Sequence, residues 1–206
     1  MPSIRSIVTA EQARGRTVGA LFLLGFGELW LLLGLGAVAG SHRAAQVLVA
    51  AAGVASLALS LVLLQRGKLL PAAAPDAEAE ERSRRMFRAV NIIQWVSVAT
   101  AATILGILHL SEYVVTAIAI IVGLHLFPLA STFRNRQHYV TGTLLILWPL
   151  ACLATLSRAQ VSGITALGAG AVLLLSAVST LVRLAGALRR GGRSNLPQVV
   201  GVAERP

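Results

Sequence analysis

The sequence predicts an all-α integral membrane protein, a six-transmembrane-helix bundle with both termini in the cytoplasm. Three observations lead there. Of 206 residues, 56% are hydrophobic and 13% charged, against about 25% charged in an average soluble domain. Six apolar stretches follow one another, each near the roughly 20 residues that carry a helix across a hydrocarbon core of about 30 Å. Finally, if the N-terminus lies inside, sixteen of the 18 Lys and Arg residues fall in cytoplasmic segments and only Arg43 and Arg158 fall outside. Short loops of membrane proteins carry that bias.

The elements follow in order. Residues 1–16 form a cytoplasmic segment in which Thr9, Glu11 and Gln12 fit a capping box, and Ile4, Ile7 and Val8 fit a short interfacial helix. The transmembrane domain covers residues 17–187, with spans at 17–39, 45–64, 89–108, 114–133, 139–156 and 163–187. Leu, Ala, Val and Gly dominate these spans without period-two alternation, which selects helices over barrel strands. Lipid cannot satisfy bare backbone groups, so each span pairs its own. Ala37-Val38-Ala39 has the look of a signal-peptidase site, but the apolar run before it exceeds a signal peptide's core and contains Glu28, so span one is expected to stay.

The long loop after span two has its own logic. Asp76 follows two prolines and caps a helix of about residues 76–88, acidic first and basic later. Glu78 with Arg82, Glu80 with Arg84 and Glu81 with Arg85 form i, i+4 pairs in the favourable order. This helix runs into span three. Residues 188–206 form a basic cytoplasmic tail. Each odd span carries one tryptophan, Trp30, Trp95 or Trp148, as a triplicated hairpin would. Gly25, Gly27, Gly34, Gly36 and Gly40 in span one, and Gly163, Gly168 and Gly170 in span six, allow close helix approach within the chain or in a homodimer.

Ionisable and polar groups inside spans are expensive and therefore the functional candidates. Glu28 lies eleven residues past the start of span one, roughly 16 Å deep and near the midplane. A carboxylate there is too costly to leave bare, so Glu28 is protonated or paired. His125 lies eight residues before the end of span four. Pro128, three residues on, lacks an N–H and frees the carbonyl of Leu124, which makes a polar node beside the imidazole. In span five, His138, Thr141, Gly142, Trp148, Pro149 and Cys152 fall on one face. Span three adds Asn91 and Gln94. Arranged by depth these groups form a ladder from the cytoplasm to Glu28, with Pro128 and Pro149 as helix kinks and an outer half poor in polarity.

Some chemistry is missing. No metal motif is present, no cofactor is implied, and no phosphate-cradling loop or paired nucleophile and base stands out. Cys152 is alone and makes no intrachain disulfide. The reading is a small carrier or solute-binding protein of the plasma (inner) membrane. Its cytoplasm-facing cavity, lined by spans one, three, four and five, holds a small polar or cationic solute, and Glu28 exchanges protons with His125. One alternative is an intramembrane enzyme acting on a lipid or isoprenoid. Another is a structural or accessory protein in which polar residues only hold helices together. The net charge of +10 serves topology and anionic lipid at the cytoplasmic face, not nucleic acid.

Overall fold

The computed structural model describes residues 10–39, 43–67, 77–132 and 135–194. It holds six α-helices: α1 (Ala10–Ala39), α2 (Arg43–Gly67), α3 (Ala77–Ile107), α4 (Val114–Thr132), α5 (Arg136–Thr155) and α6 (Arg158–Ser194), with a short 3-10 turn at Ser111–Tyr113. All six are long and apolar enough to cross a membrane. Each covers its expected span to within a residue at the inner bounds or runs beyond it. The capping box at Thr9 and the cap at Asp76 lie outside the described residues.

α1 begins within the segment expected to precede span one, and α6 runs to Ser194, taking in part of the expected tail. The helix predicted ahead of span three is real and continuous with it, since α3 starts at Ala77. Glu80 bridges to Arg84 at 3.6 Å and Glu81 to Arg85 at 2.8 Å. Among the described residues Glu78 makes no such pair with Arg82. The bridged side chains are more than half exposed, so each pair adds at most about 0.5 kcal/mol.

α6 is the central helix. It packs against α1, α2, α4 and α5, whereas α3 packs against α4 and the 3-10 turn, and α2 packs chiefly against α1. Glycines set the closest seams. A Cβ on Gly34 would stand 2.7 Å from the Leu167 backbone nitrogen, and one on Gly170 would stand 2.7 Å from the Gly27 carbonyl. Gly27 with Gly170 and Gly34 with Gly163 are therefore two levels of one antiparallel α1–α6 seam, seven residues apart on each helix. α4 and α5 meet in the same way, because a Cβ on Gly123 would lie 2.8 Å from the Gly142 carbonyl and one on Gly142 would lie 2.7 Å from the Gly123 carbonyl. Such backbone approach supplies dispersion contacts that hold the helices together.

The main core gathers Trp30, Ala119, Leu126, Leu129, Leu145, Ala166, Ala169 and Leu173 from four helices. A second cluster of Ala20, Leu24, Leu63, Ala177 and Leu181 joins α1, α2 and α6. On the outside, large apolar side chains such as Phe22, Leu48, Val54, Ile93, Ile107 and Leu175 stand exposed. The three tryptophans do not share an environment: Trp30 is buried, while Trp95 is 56% and Trp148 41% exposed. They give no support to a triplicated hairpin.

Candidate functional site

The α4–α5 hairpin carries the polar centre, near the end of the bundle where both described termini lie. Its register follows from the Gly123–Gly142 contact, which makes level residues sum to 265. His138 then stands level with Phe127 and Thr141 with Leu124. His125, His138 and Thr141 thus share a layer about 5 Å thick at 1.5 Å per residue, more compact than the ladder expected from counting along each span.

The turn into α5 orients His138. Asn135 caps the helix, its Oδ1 accepting from the Gln137 backbone N–H at 3.2 Å. That leaves Asn135 Nδ2 to face His138 Nε2 at 3.1 Å. An amide nitrogen donates, so Nε2 is the acceptor and Nδ1 of the neutral ring carries the hydrogen. This Nδ1 is buried and has no partner among the described residues.

His125 adds a second unmatched nitrogen: its Nδ1 is likewise buried and has no partner among the described residues. Two unmatched ring nitrogens on adjacent helices, a few ångströms apart in depth, suit a small polar group that hydrogen-bonds to both.

A second polar cluster ties α5 to α6, and it was not singled out from the sequence. The Gln137 side-chain N–H donates to the Ser176 carbonyl and to Ser179 Oγ, and Gln137 Oε1 accepts from Thr180 Oγ1 at 3.1 Å. Thr141 Oγ1 lies 3.0 Å from the Gln137 carbonyl and 2.8 Å from Ser176 Oγ. Thr141 is thereby satisfied within the protein. The available signal was the i, i+3, i+4 spacing of Ser176, Ser179 and Thr180, which puts three hydroxyls on one face of α6.

The expected face of α5 is largely borne out: Thr141, Gly142, Leu145, Pro149 and Cys152 are buried. Trp148 leans out over Gly168, its indole N–H donating to the Ile164 carbonyl at 3.2 Å. Pro128 and Pro149 lie inside continuous helices. Asn91 and Gln94 are half-buried on α3, and no hydrogen bond joins them to the histidines among the described residues. In the opposite half of the bundle Thr116 and Thr165 are buried with hydroxyls unpartnered among the described residues, so that half is less uniformly apolar than expected.

Glu28 stands apart, and the expected four-helix cavity is corrected here. The α1 backbone does not approach α3, α4 or α5; the helices beside it are α6 and α2, and Trp30 is what α1 contributes to the core shared with α4 and α5. The Glu28 carboxyl occupies the place where a side chain on Gly53 of α2 would begin. The helical repeat explains the placement. Trp30 faces the central core, and Glu28, two residues earlier, is turned about 200° away. Direct proton exchange between Glu28 and His125 has no geometry in this arrangement.

Among the described residues no three metal-ligating side chains gather. Comparison with family models, with characterised proteins and with solved structures finds no match for this chain. Fold and site together define a class: an all-helical protein with six helices of membrane-spanning length and apolarity, carrying two half-buried histidines, each with a buried nitrogen unmatched among the described residues.

Proposed function

We propose that this protein is a multi-pass protein of the plasma (inner) membrane that binds, and as a carrier moves, a small polar solute. Both termini face the cytoplasm, a reading supported by the distribution of Lys and Arg, and anionic lipid lies against the basic terminal end. The site is the His125–His138 layer between α3, α4 and α5. One observation carries the reading: the Nδ1 atoms of His138 and His125 are both buried and both without partners among the described residues. Leaving such groups unsatisfied costs about 1–3 kcal/mol each, so they are natural contacts for a bound hydroxyl, amide or water. Thr141 supports the site from behind and does not contact the solute.

The test needs no knowledge of the solute. Diethyl pyrocarbonate modifies neutral imidazoles that it can reach, and peptide mass spectrometry locates the adducts. His109, which is exposed, is the internal reference. In the folded protein His125 and His138 are expected to react alongside His109, and a bound solute is expected to slow them selectively. If His109 reacts fully while the other two stay unmodified until denaturation, the layer is solid packing and the reading is wrong.

A further inference from the structure

We propose that Glu28 and Gly53 form a proton-binding site of their own, independent of the histidine layer, in which the neutral carboxylic acid is held in the α1–α2 seam. The carboxyl fills the space left by the missing side chain of Gly53. Its Oε1 is buried and has no partner among the described residues.

Among the described residues no opposite charge pairs with it. Between Arg16 and the end of α1, Glu28 is the only ionisable residue. On the two helices packed against α1, α2 has no ionisable group between Arg43 and Arg66, and α6 has none between Arg158 and Arg183. The nearest of these on α1 itself is twelve residues from Glu28, about 18 Å along the axis. An unpaired carboxylate in hydrocarbon is too costly to persist, so the closed seam holds the acid.

Release of the proton breaks the O–H bond, leaves the electron pair on the carboxylate and passes the proton to water. Oε1 is enclosed against α2 while the residue as a whole is half-buried, so that step requires water to reach the carboxyl from outside the seam. The site is therefore a carboxyl whose proton occupancy is linked to the access of water to it.

Dicyclohexylcarbodiimide adds to protonated carboxyls in apolar surroundings: the acid O–H adds across a C=N bond, and rearrangement leaves an N-acylurea containing the whole reagent. At pH 7 one adduct is expected, on Glu28, absent from Glu28→Gln and from the exposed Glu78. Stability in detergent gives a second readout. The folded state keeps the proton that an unfolded chain releases above about pH 4. Glu28→Gln is therefore expected to match the wild type near pH 4 and to melt at a higher temperature at pH 7. Gly53→Ala is expected to lower the melting temperature in the presence of Glu28 and to be tolerated in Glu28→Ala, where the space is free. Absence of the adduct, or a Glu28→Gln protein less stable than wild type at pH 7, overturns the proposal; neither outcome bears on the histidine layer.

Discussion

The α1–α6 seam makes the sharpest structural prediction, through Gly34→Ala. The added Cβ would lie 2.7 Å from both the Leu167 backbone nitrogen and Leu167 Cγ, and 2.9 Å from the Gly163 carbonyl. Two of these are backbone atoms, which cannot swing aside. Ordinary contact begins at 3.4 Å, so the helices must part by 3.4 − 2.7 = 0.7 Å at this level. A gap of that size forfeits roughly a quarter to a half of each dispersion contact along the seam. Overpacking of this kind costs about 1–3 kcal/mol, offset by up to about 1 kcal/mol from alanine's better helix propensity. A net loss of about 1–2 kcal/mol is expected.

Gly25→Ala provides the control on the same helix, because a Cβ there meets nothing within 4 Å. It is expected to be neutral or slightly stabilising. Unfolding in mixed detergent micelles, followed by the fluorescence of the buried Trp30, measures both. Gly170→Ala strikes the Gly27 carbonyl and the Leu31 nitrogen at 2.7 Å, one level along the same seam. Once the helices have parted for one alanine, the second costs less, so the double variant is expected to be less destabilised than the sum. Equal stability of Gly34→Ala and Gly25→Ala would refute the seam as described.

Two further predictions concern single residues. Gly168→Ala places a methyl where the Trp148 indole lies and breaks its bond to the Ile164 carbonyl; about 1 kcal/mol of stability is expected to go, with a shift in tryptophan emission that Trp148→Phe abolishes. His109 ends α3 with φ 55°, a conformation that costs a residue with a Cβ about 1 kcal/mol. Its neighbour Leu110 closes the helix by donating to the Leu105 carbonyl at 2.8 Å. His109→Gly is therefore expected to raise the melting temperature, and His109→Val to lower it.

The helices were legible because lipid demands long apolar runs and self-satisfied backbones, and both are written in one dimension. The lead-in to α3 was legible for a similar reason: its Glu–Arg spacing is a local code with the period of the helix. The burial of Thr141, Gly142, Pro149 and Cys152 followed from their recurrence at three and four residues. Gln137 escaped notice because a glutamine beside an arginine at a helix start is ordinary; only its three hydroxyl neighbours some 40 residues away, at Ser176, Ser179 and Thr180, give it meaning.

By itself the sequence determined where the helices lie and which polar groups have no comfortable place in a membrane. It could not choose the neighbours of each helix, since every span is apolar on most sides and no hydrophobic contrast points one helix at another. Tertiary structure made that choice through the glycines: Gly27, Gly34, Gly163 and Gly170 brought α1 against α6, and Gly123 and Gly142 locked α4 to α5. Those contacts set the rotation of each helix about its axis. Rotation sent Glu28 toward α2 and turned His125 toward α3, separating two groups that depth alone had placed together.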